Sequence, residues 1–207
     1  DENQNQSNGT QAGGKGGTEG QPATAAQIQV QLKEGLVAYY PFNGNAKDES
    51  GNGNDGKVKG PTLTTDRHGN KNSAYDFIGE NHIVLPLKSK DVTQHTLSGW
   101  IKVPDMSKHP NDSGNLKTVW IIAFNLGFGS RGSEDRKGIP FPRYRLGGVD
   151  PAIEMENKTT RNINLTKWNH LTGTYDGETM TLYLDGVRLE SMKSSLKGAA
   201  LDGNPPF

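Results

Sequence analysis

The chain has 207 residues, no cysteine, and 23 basic side chains against 23 acidic ones, so its formal charge is zero. The length points to one domain, and the absence of thiols excludes disulfide frameworks, thiolate metal sites and cysteine nucleophiles. Balanced charge argues against a basic surface for phosphate and hence against a nucleic acid as partner, and no apolar run approaches the ~18–20 residues of a bilayer span. In chain order, residues 1–27 come first, and their only apolar side chains are Ala12, Ala23, Ala25 and Ala26. Such a stretch cannot bury enough surface to offset its ordering entropy. It reads as a disordered polar tether, with the folded domain in residues 28–207. A start at Asp1 without Met is expected of a processed or trimmed chain.

After Ile28 the hydrophobic period is two. Residues 36–42 (LVAYYPF) form a short β-rich run ended by Asn43-Gly44. Residues 96–103 set Leu97, Ile101 and Val103 on one face and Ser98, Trp100 and Lys102 on the other. Trp100 and Trp168 sit within strand patterns and read as core anchors, and His82 and His170 as half-buried packing residues. Residues 120–124 (WIIAF) are an apolar run of strand length, followed by a long insertion up to Asp150. Near the end, residues 170–175, 179–184 and 187–189 are strand-like and are separated by Asp176-Gly177 and Asp185-Gly186. Asp-Gly pairs supply the positive φ of tight hairpins, so this segment reads as a three-stranded meander. With 27 glycines and 11 prolines spread along the chain, no segment keeps a helical period. The expected class is all-β, an antiparallel sandwich or barrel.

Several residue groups could carry chemistry. Residues 48–56 (DESGNGNDG) crowd oxygen ligands together but lack the spacing and the bidentate Glu of a helix–loop–helix calcium site. The same residues equally suit a loop of several turns in which Asp48, Ser50 and Asn54 bond nearby amides. Glu154 and Glu156, two apart on a strand, place their Cα atoms about 6.5–7 Å apart, near what a retaining glycosidase requires. The solvated outer face of a strand accounts for them better. His68, His82, His95, His109 and His170 lie too far apart in sequence to suggest a metal site. In the insertion, Arg131, Arg143, Tyr144 and Arg145 combine an aromatic ring with planar donors, the chemistry that sugar recognition uses. On a strand Tyr144 would face away from Arg143 and Arg145, so a loop would have to present the three together.

Four ordered stretches resemble bacterial laminin-G-like, concanavalin A-like jelly-roll domains of the lectin/glucanase type. They are residues 35–56 (GLVAYYPFNGNAKDESGNGNDG), 74–86 (AYDFIGENHIVLP), 96–103 (TLSGWIKV) and 168–187 (WNHLTGTYDGETMTLYLDGV), the last being the most specific. The resemblance implies two curved antiparallel sheets forming a jelly-roll sandwich. It also implies a structural Ca2+, for which Asp48, Asn54 and Asp76 are the candidate ligands. Members of the family continue past the part resembled by residues 204–207 with two further strands, so the sandwich is expected to lack its last C-terminal strands. Glucanases of this fold use Glu-x-Asp-x-Glu on one strand; here Lys158 stands where the third acid would fall after Glu154 and Glu156, and Ala152 where it would fall in the reverse register. The polar leader resembles the spacer behind the lipidated Cys of bacterial lipoproteins, which implies a secreted or cell-surface protein with membrane attachment only through such an anchor. The reading that follows is a non-catalytic extracellular module binding a polysaccharide or host glycan. The alternatives are a protein-binding adhesion or assembly module for a surface protein and, further off, a glucanase-type hydrolase.

Overall fold

The structure, a computed structural model, describes residues 33–79, 81–87, 93–103, 116–122, 126–131, 140–146, 153–156 and 163–193. The leader read as a tether and the segment 204–207 lie outside these residues. The chain divides into two units, residues 1–36 and 37–207. In the first, the described part is one turn in which the Leu36 amide donates to the Lys33 carbonyl at 3.2 Å.

Everything else described is strand or turn, and all pairings are antiparallel. Two short hairpin-like ladders come first. β1 (Lys57–Lys59) pairs with β4 (His82–Val84), and β2 (Thr62–Thr64) pairs with β3 (Ala74–Asp76). β5 (His95–Ile101) then joins the meander β10 (Asn169–Tyr175), β11 (Thr179–Leu184) and β12 (Val187–Lys193) in the order β12-β11-β10-β5. The second four-stranded sheet runs in chain order through β6 (Leu116–Ile122), β7 (Leu126–Arg131), β8 (Pro140–Leu146) and β9 (Ile153–Glu156). The meander turns as its Asp-Gly pairs require: Asp185 and Gly186 take φ of 50° and 80°, and Gly177 takes 98°.

The all-β antiparallel sandwich expected from the sequence is therefore present, with its core between the two four-stranded sheets. β10 alternates strictly, with Asn169, Leu171, Gly173 and Tyr175 buried and His170, Thr172 and Thr174 less so. Leu97, Leu171, Tyr175, Met180 and Leu182 from the meander sheet meet Leu126 and Tyr144 from the facing sheet in one cluster. Each fully buried large side chain here is worth on the order of 1.5–3 kcal/mol relative to exposure. Asn169, polar and buried, donates from Nδ2 to the carbonyls of Asn164 and Lys167, at 3.1 and 2.7 Å, and so ties the preceding loop to the sheet.

Two readings of the sequence are corrected. The run 36–42 joins no ladder among the described residues: the loop that follows it bonds the Val37 carbonyl and the Tyr39 amide, and Phe42 takes a φ of 59°. The insertion after Asn125 contains two paired strands, β7 and β8, with Leu126 opposite Tyr144 and Phe128 opposite Pro142. Alternate glycines in β7 and prolines in β8 hide a period of two that buries Leu126, Pro142 and Tyr144.

Tyr144 is fully buried and crosses to the other sheet. A Cβ on Gly173 of β10 would stand 2.8 Å from Cγ and Cδ2 of its ring, so only glycine leaves room for it. Its hydroxyl shares a 2.7 Å hydrogen bond with Nε2 of His95. The His95 ring also lies against Tyr144 and Tyr175, with centroids 6.1 and 5.8 Å away, and its Nδ1 is buried without a hydrogen-bond partner. Burial pushes the imidazole down from 6.5 to about 4. Burial, and then the neighbouring Tyr175, hold the Tyr144 phenol well above its ordinary value, so it stays protonated.

Adding a methyl at Gly173 overpacks this contact, so Gly173→Ala is expected to cost about 1–3 kcal/mol in urea unfolding. Tyr144→Phe, which keeps the ring and loses only the hydroxyl, is expected to cost about 1–2 kcal/mol. Equal stability of Gly173→Ala and the parent would place the two sheets further apart than described. Because the folded-state value of His95 lies below its unfolded one, the unfolded chain takes up this proton first. Its contribution to stability is whole above about pH 6.5 and is lost as the pH falls towards 4. A tenfold change in proton affinity corresponds to about 1.4 kcal/mol, and partial solvent access to the ring reduces the whole effect to about 1–2 kcal/mol. The measurement is the difference in unfolding free energy between pH 7.5 and 4.5 for the parent and His95→Gln; it is expected to be smaller in the variant, and equal differences would mean that His95 is solvated.

Candidate functional site

With Leu97, Leu171 and Leu182 turned inward, alternation fixes what the meander sheet shows to the outside. β5 presents Thr96, Ser98 and Trp100, and β10 presents His170, Thr172 and Thr174. Beyond them β11 adds Thr181 and Tyr183, and β12 adds Arg188 and Ser191. In register, His170 stands opposite Trp100, Thr172 opposite both Ser98 and Tyr183, and Tyr183 opposite Arg188. The face is thus hydroxyl-rich and carries two aromatic residues and no aliphatic side chain larger than threonine.

Trp100 is 44% exposed, which corrects its reading as a core anchor. The His170 ring lies 4.8 Å from the indole with the planes 30° apart. His170 Nε2 is 2.8 Å from Ser98 Oγ, which is in turn 2.9 Å from Thr172 Oγ1, so a short polar chain runs beneath the indole. Over the indole, 4.7 Å from its centre, stands the guanidinium carbon of Arg67. Arg67 is presented by the β2–β3 connection, which one carboxylate makes rigid. Asp66 Oδ1 accepts the amides of His68 and Asn70, both at 2.8 Å, and Asp66 Oδ2 accepts Asn70 Nδ2 at 3.1 Å.

One end of the face is closed by the β11–β12 turn. The His170 amide donates to Asp185 Oδ1 at 2.7 Å, and the Asp185 amide returns a bond to the His170 carbonyl at 2.8 Å. Past this turn lies an open groove of about 430 Å³ walled by Ile163, Lys167, Trp168, Leu184 and Asp185 among others. Trp168, read as a core anchor, is a half-buried wall of that groove.

The sequence candidates are distributed differently. Tyr144, expected to stack on a sugar, is sealed in the core, because the inward positions of β8 are the even-numbered ones. Arg143 and Arg145 flank it on β8, paired with Glu156 and Glu154 of β9 respectively, and Arg131 ends β7 opposite Leu116. Each of the two acids considered for glycosidase chemistry therefore stands opposite an arginine along the ladder. His82 is exposed on β4 opposite Lys59, not half-buried, and His68 is exposed on the β2–β3 turn; His109 lies outside the described residues.

Asp48 and Asn54 do come together, with their polar atoms turned on the backbone. Asp48 Oδ1 accepts the amides of Tyr39 and Ser50 and Oδ2 that of Asn54, all at 2.9 Å. The Val37 carbonyl accepts Asn54 Nδ2 at 2.9 Å, Asn52 Nδ2 at 3.1 Å and Ser50 Oγ at 3.3 Å. Desolvation works to raise the Asp48 carboxyl, but the three amides and the Ser50 hydroxyl outweigh it and hold the group well below the usual carboxylate range. Tyr40 donates to the Asn54 carbonyl at 2.6 Å; its phenol is pushed up to about 12 by burial and then by Asp48 and Asp55. Asp76 is exposed at the end of β3, opposite Thr62. Among the described residues no three His, Asp or Glu side chains are grouped so as to hold a metal ion.

The grouping of Trp100, His170 and Arg67 is not found by sequence reasoning. Half of the signal is available, since the alternation of residues 96–103 already sets Trp100 apart from Leu97 and Ile101. The preference of Trp for burial outweighs that parity. The approach of Arg67, 33 positions upstream, leaves no local trace.

No curated protein matches the chain. Among solved structures it is similar to domain 4 of AbnA, a GH43 extracellular arabinanase from Geobacillus stearothermophilus, in complex with arabinotriose. The identity is 20% over 80% of this chain and 81% of that one, with a TM-score of 0.45. The sequence model of the concanavalin A-like lectin/glucanases superfamily matches residues 77–207, a span from the end of β3 through the whole meander. The chain belongs to the concanavalin A-like lectin/glucanases superfamily.

Proposed function

We propose that this domain is a non-catalytic carbohydrate-binding module, displayed outside a bacterial cell on its polar leader, and that the saccharide docks on the Trp100 face of the meander sheet. The observation that carries the reading is the placement of an indole, 44% exposed, among hydroxyl side chains on a sheet face whose reverse side forms the core. Sugar rings present an apolar C–H face and a rim of hydroxyls. An indole serves the first, and the Ser98, Thr172 and Tyr183 hydroxyls, each both donor and acceptor, serve the second. Hydrolysis would need two carboxyl groups flanking one bond. Glu154 and Glu156, the pair best spaced for it in sequence, belong to the other sheet, at register positions opposite Arg145 and Arg143. For the 48–56 loop we propose that amide bonds to Asp48 hold its shape and that calcium is not required.

The test is retention and calorimetry on a panel of plant, microbial and host polysaccharides. At least one is expected to bind, and Trp100→Ala is expected to weaken it tenfold or more, about 1.4 kcal/mol, with Tm unchanged. Binding that survives Trp100→Ala undiminished would move the site elsewhere. Release of reducing ends by the parent, abolished in Glu154→Gln, would make the protein an enzyme. For the loop, Asp48→Ala is expected to lower Tm while a chelator leaves it unchanged; a Tm that falls with chelator and recovers with Ca2+ would restore the metal.

A further inference from the structure

Granting the glycan reading above, we infer that the saccharide is acidic: Arg67, clamped on Trp100, marks a cationic face built for a carboxylated or sulfated polysaccharide. The charges that the sheet displays are of one sign. None of the outward positions of β5, β10, β11 or β12 carries Asp or Glu, whereas Arg188 and Lys193 occupy outward positions on β12 and Lys102 extends the outward row of β5. Lys193 is committed to Glu178 at 3.0 Å. Arg67, Lys102 and Arg188 are exposed, and none of them has an ion pair among the described residues.

The acids nearest this face are directed elsewhere. Asp66, next to Arg67, turns both carboxylate oxygens on its own turn, and Asp185 receives the His170 amide. Glu190 pairs with the inward-facing Leu182, on the opposite side of β12. An anion approaching the indole therefore meets no opposing carboxylate on the sheet itself.

The position of Arg67 suits the task. A guanidinium lying over an aromatic ring gains from the ring's negative face while its in-plane N–H donors remain free for a bidentate carboxylate or sulfate. Arg188 lies three strands away from β5, about 14 Å at the usual interstrand spacing. A polymer bearing repeated negative charges can meet both arginines, with its hydroxyls over Ser98, Thr172 and Tyr183 between them. A neutral chain would leave the donors of Arg67 to water.

The experiment is binding of the full chain to polygalacturonate, alginate, hyaluronate and heparin. Fully methyl-esterified polygalacturonate, arabinan and dextran serve as neutral counterparts, and a single-stranded polynucleotide as a non-saccharide polyanion. At least one acidic polysaccharide is expected to bind tenfold or more tightly than every neutral one, and more weakly as salt rises. Arg67→Ala is expected to remove that preference, Arg67→Lys to restore part of it, and neither to change Tm. If a neutral polysaccharide binds as well as the acidic ones, the acidic ligand is wrong and the glycan module stands. If none of the seven polysaccharides binds, both readings fall. If the polynucleotide competes equally, the face reads charge alone and the saccharide assignment is lost.

Discussion

The contact between the Tyr144 ring and the bare backbone of Gly173 sets the rest of the architecture. It joins the two four-stranded sheets at a point where neither can move closer and neither can retreat without opening a void. It also settles a question of parity. Once Gly173 faces inward, every odd-numbered residue of β10 does too, and His170, Thr172 and Thr174 must face out. The register with β5 then carries the decision across the sheet: His170 meets Trp100, and Thr172 meets Ser98. With β10 held by Gly173, a slip of one residue in that pairing would bury the indole and expose Leu97. The outer face owes its chemistry to what the inner one packs.

This dependence explains which parts are legible in the sequence. The meander can be read because its turns are chemically specific: Asp-Gly at 185–186 supplies two consecutive positive φ values that few other pairs tolerate. β5 can be read because Leu97, Ile101 and Val103 keep a clean period. β7 and β8 are hidden because glycine and proline, ordinarily turn residues, occupy alternate positions of real strands. The buried Pro142 and Tyr144 keep the same period that makes β5 visible, but proline masks it. Tyr144 then reads as part of a surface insertion, and its true partner, a glycine 29 residues later, is a residue type that announces no contact.

The loop after residues 36–42 shows why composition alone leaves two readings open. Oxygen-bearing side chains at close spacing can surround a cation or collect backbone amides, and the residues are the same in both cases. What separates them is where the lone pairs go. Asp48 gives its two oxygens to three amides, and the Val37 carbonyl draws three side-chain donors to itself. Val37 and Tyr39 of the run 36–42 are thereby tied to the loop by one carboxylate and a few side-chain amides. Strand-like sequence here forms no ladder among the described residues.

The zero net charge conceals a separation of signs. Asp48, Asp66, Asp176 and Asp185 all accept backbone amides within turns, where the N–H dipoles neutralise much of their field. The basic residues have no comparable backbone role, because guanidinium and ammonium groups cannot accept those donors. Acids are drawn into the turns at the strand ends, and on the sheet face between them Arg67, Lys102 and Arg188 have no ion pair among the described residues, while Lys193 meets Glu178. Whole-chain neutrality therefore does not bound the potential over the Trp100 face. A surface can be locally cationic in a neutral protein whenever the fold spends its carboxylates on its own backbone.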